Sequence, residues 1–394
     1  MNSLLIKNLN LPLYNTYDLG TFSTNYMNKD ACKIFNYYSS INLISSSIKE
    51  ETEEIKKLCA EFIINLIGGN NINNYKYFNT SGSSEAIFLS VLLLKKYWQS
   101  NNIIQERPTL IVSSSSHISW YKAAQYLDID IKIIPINKEN LTIDLSKLSK
   151  AINNKTIGVI CTLGATTTLI FDQIQSCNKI LKEHFLKTNY FIPIHVDAAS
   201  GGFVAPFINN NFLWDFKLDH VMSINVSSHK YGLVYPSLGW LFVKKQLFNE
   251  EFNHTNNYIG TPFKTFTLQF SCSAAHLLTQ YYYIKELGYN GYKKTINSLF
   301  KLKEQMIKHL MQLEEIEVIF PEHLNCLPGF LIKTKNKVDI HNLSSILPEK
   351  GWKLPIYKLS ERNCNVGRIV IRSGFSEEHI YKLYDDIKKA LSRV

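Results

Sequence analysis

A chain of 394 residues with 45% hydrophobic and 19% charged side chains is long enough for two lobes, and its composition excludes a disordered protein. Its net charge of +10 is spread along the sequence, with no block of five or six like charges, which argues against a nucleic-acid partner. The longest apolar runs, at 86–94 and 157–163, are far too short to span a bilayer. Residues 1–13 carry one lysine and no sustained apolar stretch, so they do not read as a secretory signal. Seven scattered cysteines without a CxxC pair point to reduced thiols in the cytoplasm and to no zinc site.

In chain order, 50–67 has apolar residues at helical spacing closed by two glycines, and 83–98 is a second helix, apolar on most sides and therefore buried. Apolar runs at 109–112, 131–136, 157–162, 191–196, 220–225 and 238–243 then alternate with helical patterns. Strands separated by helices imply a mostly parallel sheet covered on both faces. The polar stretch 252–265, with Gly260 and Pro262, reads as a mobile loop. Near Tyr289 the pattern changes to a helix at 292–313, strands at 316–320, 329–334 and 368–373, a helix at 340–347 and a terminal helix. This describes a smaller α+β lobe.

Two runs carry the chemistry. Residues 195–202 (HVDAASGG) put Asp197 at the end of an apolar strand, followed by small residues that admit a flat ring close to the backbone. Residues 227–230 (SSHK) put Lys230 beside hydroxyls and an imidazole. An acid and a lysine so framed are what pyridoxal phosphate needs. The carboxylate keeps the pyridine nitrogen protonated, and the amine holds the aldehyde as a Schiff base. Alone, either residue has an ordinary reading, as a surface lysine and a turn or cap aspartate. Thr80-Ser81-Gly82-Ser83-Ser84-Glu85 before the buried helix suits an anion by its free N–H groups and dipole, and equally suits a plain N-cap.

Residues 195–207 (HVDAASGGFVAPF) and 223–232 (SINVSSHKYG) resemble the glutamate-decarboxylase branch of the pyridoxal-phosphate-dependent amino-acid decarboxylases, and a weaker likeness runs from Leu19 to the C-terminus. The resemblance implies the α/β type I fold. A large domain (17–290) with a mostly parallel seven-stranded sheet would follow an N-terminal segment (1–16) and precede a small α+β domain (291–394). The family has longer ends than this chain. The resemblance further implies that Ser83, Ser84, Ser227 and His229 bind the cofactor phosphate. Ser271 would reach that phosphate from a neighbouring subunit, which makes the enzyme a homodimer or larger homo-oligomer with sites at the interface. His117 would stack on the ring, Asp197 would face its nitrogen and Ala199 would lie against it. Thr162 and Thr166 match threonines near the cofactor, with routine strand-end threonines as the alternative. Thr162 would bond Asp197 or the ring hydroxyl.

On the substrate side, Arg368 matches an arginine for the α-carboxylate, a role its planar fork suits, with an interlobe salt bridge as the alternative. Arg372, four residues on and expected on the same strand face, is a second candidate. Tyr258, in the polar loop, or Lys230 would return the proton to Cα. Thr21 and Phe22 match a pair that contacts the glutamate side chain. Two departures bear on specificity: Ser45 where an acid is expected and Cys272 where an arginine is usual; near the cofactor threonines, Leu169 in place of glycine would displace its loop. The resemblance therefore implies decarboxylation of glutamate to 4-aminobutanoate and CO₂. Action on another amino acid, a decarboxylation-coupled oxidation or transamination, and a scaffold without activity stand as alternatives.

Overall fold

The computed structural model describes residues 17–101, 106–208, 211–257, 263–319, 325–335 and 338–393. Helix α1 (Lys29–Tyr38) starts at Asn28, whose side chain accepts from the Ala31 N–H, an ordinary cap. Helix α2 (Lys49–Leu66) buries Cys59, Ala60, Ile63, Ile64 and Leu66 along one side. Strand β1 (Tyr75–Thr80) leads into α3 (Ser83–Asn101), the expected buried helix. There follow β2 (Thr109–Ser113), α4 (Ile118–Tyr126), β3 (Asp130–Ile134), α5 (Leu145–Ala151), β4 (Thr156–Thr162), α6 (Ile174–Thr188), β5 (Ile194–Ala198), β6 (Val221–Ser227) and β7 (Gly239–Lys244).

These seven strands form one sheet in the order β1-β7-β6-β5-β4-β2-β3. Only β7 runs against the others, through its antiparallel pairing with β6 and β1. Apolar residues alternate across the sheet. Leu110 and Val112 join the layer formed with α3, while Ile111 and Val159 join the layer on the opposite face. Both faces are thus covered, as the continuous apolar strands require.

Two short strands, β8 (His254–Asn256) and β9 (Phe263–Thr265), pair antiparallel within the stretch read from sequence as loop. Cross-strand pairing there outweighs a polar composition. Helix α7 (Ala274–Leu310) begins eighteen residues before the expected helix and breaks at Gly288, whose φ of 54° with ψ of −167° only glycine adopts freely. Beyond it lies a four-stranded antiparallel sheet, β10-β11-β13-β12. Its elements in chain order are β10 (Ile316–Ile319), β11 (Gly329–Thr334), helix α8 (Ile340–Ile346), β12 (Ile356–Leu359) and β13 (Cys364–Val370), with α9 (Glu377–Leu391) last.

Two expected strands move. The run at 191–196 pairs only from Ile194, because Asn189 is left-handed and Pro193 has no N–H to donate. The strand expected at 368–373 instead covers Cys364–Val370. Its partner β12 recruits Cys364 and Asn365, and the Ile371 N–H leaves the ladder to bond the Pro328 carbonyl. Among the described residues no helix is long and apolar enough to cross a membrane.

Candidate active site

Strands β4, β5 and β6 end side by side, with Thr162 in register with Asp197 and Asp197 in register with Asn225. Ligands in open parallel sheets lie beyond such carboxyl ends. Here a cavity of about 280 Å³ is lined by Ser83, Ser84, His117, Thr162, Thr166, Asp197, Ala199, Ser227, His229 and Lys230. The structure therefore brings together ten of the residues singled out from sequence.

Asp197 is 4% exposed. Its Oδ2 accepts from Trp120 Nε1 at 2.9 Å, and its Oδ1 accepts from Asn225 Nδ2 at 3.0 Å and the Ala199 N–H at 3.2 Å. Of the two partners expected for Thr162, the Asp197 carboxylate is not bonded by it. Thr162 Oγ1 has no hydrogen-bond partner among the described residues, while its N–H goes to Asp172 Oδ2 at 2.8 Å. Asp172, which also accepts from the Ile143 N–H, thereby pins the end of β4, and burial raises its pKa to about 6 against those two bonds. Leu169, two residues beyond Thr167, takes a left-handed φ of 67°. The backbone shape that suits glycine is kept at a local cost of about 1 kcal/mol, with the Leu169 side chain buried.

Lys230 follows β6 in a tight turn. Its Nζ donates to Ser200 Oγ at 2.9 Å and lies 5.5 Å from the Phe22 ring centroid. Burial lowers its pKa to about 8, opposed by nearby Asp197 and assisted by Arg368. Its main-chain carbonyl accepts from Thr24 Oγ1, and the Thr24 N–H bonds the His229 carbonyl. The N-terminal stretch is thus tied directly to the lysine turn.

The other end of the cavity is the start of α3. Gly82 has φ +150°, and a Cβ there would come within 3.0 Å of His229 Cε1. A side chain on Gly239 would meet the Gly82 backbone at 2.7 Å. Both glycines let the loop, the histidine and the strand end close on one another. Ser83 Oγ lies 2.6 Å from Ser227 Oγ, and Ser84 Oγ lies 2.9 Å from Ser119 Oγ. Glu85 holds the loop by accepting from Ser81 N and Oγ, and its other oxygen accepts from the Leu268 and Gln269 N–H groups. Hydroxyls and helix-start N–H groups suit this end to an anion. Burial, then neighbouring Lys230, lowers the His229 pKa to about 4. His117 caps α4, accepting from the Ser119 N–H through Nδ1, and presents its ring to the cavity.

Arg368 and Phe22 stand beside the lysine, the guanidinium carbon 5.0 Å from the Phe22 ring centroid. Both Arg368 Nη atoms donate to main-chain carbonyls, of Thr166 at 2.5 Å and Gly20 at 2.6 Å. Thr21 does not line the cavity, and its Oγ1 accepts from the Ser23 N–H. Arg372 is a correction: β13 ends at Val370, so it does not share a strand face with Arg368. Its buried guanidinium donates to the Asp18 carbonyl, and burial lowers its pKa to about 10. Ser271 is outside its own chain's cavity and accepts from Asn42 Nδ2 at 3.3 Å. Ser45 bonds Ser47 away from the cavity, and Cys272 bonds Asn42 through its N–H. Tyr258 lies outside the described residues.

Trp120, Ser200, Asn225 and Thr24 escape the sequence reading. A signal existed for Asn225. Ser223, Asn225 and Ser227 alternate with apolar Ile224 and Val226, and on β5 His195 and Asp197 do the same, so two adjacent strands turn polar faces to one side.

The model of the "Pyridoxal-dependent decarboxylase conserved domain" matches residues 41–331. Glutamate decarboxylase of Lactococcus lactis subsp. lactis (strain IL1403) is 33% identical over 387 residues, covering 95% of this chain and 83% of that protein. Among solved structures, Lactobacillus brevis glutamate decarboxylase superposes with a TM-score of 0.92 at 29% identity, covering 98% of this chain and 91% of that one. A Burkholderia pseudomallei sphingosine-1-phosphate lyase superposes with a TM-score of 0.81 at 17% identity, over 96% and 86% of the two chains. It shares the fold.

Proposed function

The chain belongs to the pyridoxal-dependent decarboxylase family, and from that premise we propose that it converts L-glutamate to 4-aminobutanoate and CO₂. The observation that carries the reading is one cavity holding a lysine with its pKa lowered to about 8 opposite a carboxylate fixed by three N–H donors. The 33% identity to a glutamate decarboxylase over nearly the whole chain supports the substrate.

The residues fit the cofactor. The buried Thr162 Oγ1 and His229 Nδ1 have no hydrogen-bond partner among the described residues, and the start of α3 offers an anion cradle. Lys230 would hold the aldehyde carbon, Asp197 the ring nitrogen, and Ser83, Ser84, Ser227 and His229 the phosphate, with Ala199 and His117 against the ring. When bound, the cofactor supplies an aldehyde and a ring that accepts the electrons of the broken bond. Everything else falls to the protein. Lys230, poised near neutrality, gives up its proton readily and can return one at Cα. Asp197 stays fixed while charge redistributes, costing no reorganisation. Arg368 would exchange carbonyl partners for the α-carboxylate, and Phe22 would close that side to water. Tyr258 remains the second candidate for returning the proton.

The position of Ser271 outside its own cavity supports a homodimer in which it serves the neighbouring site. Mixing a Ser271→Ala chain with a Lys230→Met chain tests this, because subunit exchange would then leave one kind of site intact. The seven free thiols support a cytoplasmic location. Purified protein supplied with a panel of amino acids and pyridoxal phosphate should release CO₂ and amine in equal amounts, fastest from glutamate. Carbonyl product without amine, or a preference for another amino acid, would overturn the reading.

A further inference from the structure

We infer that Asn225 is a positioning residue that couples the two ends of the cofactor cradle, one side-chain amide orienting both the Asp197 carboxylate and the Ser83 hydroxyl. The inference deepens the proposed function and rests on it. Asn225 is fully buried on β6. Its Nδ2 donates to Asp197 Oδ1 at 3.0 Å and to Ser83 Oγ at 2.8 Å, and its Oδ1 lies 2.7 Å from His195 Nε2. An amide has two donors on one atom and acceptors on the other, so its orientation follows from its neighbours. Turned over, it would set its oxygen against the carboxylate, acceptor against acceptor. The observed arrangement leaves His195 Nε2 carrying the proton, while His195 Nδ1 accepts from Ser223 Oγ at 2.7 Å. Burial lowers the His195 pKa to about 4, which keeps the imidazole neutral and this tautomer in place.

Both ends of the site feel the result. At the ring end, Asn225 shares Asp197 with Trp120 and the Ala199 N–H, and three donors on different elements fix the carboxylate plane. At the anion end, Ser83 Oγ already accepts a hydrogen bond from Asn225, so its own proton is free to be donated to Ser227 Oγ, 2.6 Å away, or to an anionic oxygen. Asp197 is on β5 and Ser83 opens α3. Asn225 is the side chain that hydrogen-bonds to both.

Apo-protein titrated with pyridoxal, which lacks the phosphate, and with inorganic phosphate in competition with pyridoxal phosphate reads the two ends separately. N225S, a small polar replacement whose folding is checked by circular dichroism, is expected to weaken both probes roughly five- to tenfold. S83A should weaken phosphate alone. In the double variant S83A/N225S the phosphate loss should equal that of S83A, because Asn225 acts there through Ser83, while the pyridoxal loss should remain. N225L, which fills the space without donors, should repeat the N225S pattern. An N225S variant that weakens one probe only, or neither, or adds its full phosphate loss on top of S83A, would overturn the coupling. Absence of pyridoxal phosphate binding by the unaltered chain would overturn the cofactor reading and this inference with it.

Discussion

The Asp197 end of the cavity and the Arg368 and Phe22 pair beside Lys230 are assembled in opposite ways. Asp197, Asn225 and His195 sit on adjacent parallel strands, each no more than 4% exposed, and their polar atoms find partners on rigid elements. Arg368 and Phe22 come from the small lobe and the N-terminal stretch, and Arg368 spends its donors on carbonyl oxygens. A prearranged floor suits a cofactor that stays. A rim built from separate parts, with exchangeable bonds, suits a substrate that enters and leaves.

The sharpest way to break this contrast is Asp197→Ala. It should lower kcat by roughly 10³-fold, about 4 kcal/mol, with KM little changed in steady-state assays. A loss confined to KM would move the floor into the class of the rim. Acid should also strike the floor. The His195 pKa is depressed in the folded chain to about 4 from an ordinary 6.5. The stability it contributes is therefore present above pH 6.5 and lost as pH falls toward 4, on the order of 3 kcal/mol. Asp172, raised to about 6, acts in the opposite direction over the same range. The difference between the unaltered chain and His195→Gln in urea melts at several pH values isolates the imidazole, and a difference that does not change with pH would refute its buried neutrality.

Capture of pyridoxal phosphate by the apo-protein needs the neutral Lys230 amine. Its rate should climb about tenfold per pH unit up to about pH 8 and then level, followed by absorbance after mixing. A rate still climbing at pH 10 would mark an ordinary exposed lysine. At the rim, Arg368→Gln should raise KM for glutamate roughly 10- to 100-fold, with a smaller change in kcat, as expected for losing a charge-assisted carboxylate contact worth about 1.5–3 kcal/mol. A fall in kcat matching that of Asp197→Ala would erase the distinction between floor and rim.

The same contrast decides what the sequence could disclose. Asp197, Ala199, Ser227, His229 and Lys230 lie within two continuous motifs and were legible together, and the parallel sheet was legible from apolar runs alternating with helical patterns. Trp120 was not, because the bond from its indole to Asp197 joins α4 to β5 across 77 positions. Strands β1 and β12 were missed as edge strands with mixed, half-buried residues, where alternation fades. Arg372 misled because a period-2 reading assumes that the strand continues, and β13 stops two residues earlier. Asp172 was not legible as the clamp on β4, because its bond to the Thr162 N–H reaches back ten residues from the strand that it fixes.

Borohydride treatment of the holoprotein, followed by peptide mapping, tests the attachment point most directly. A pyridoxyl mass on the peptide containing Lys230, and on no other, is the expected outcome. An adduct on a different lysine, or none at all in a yellow protein, would contradict the assignment of the cavity.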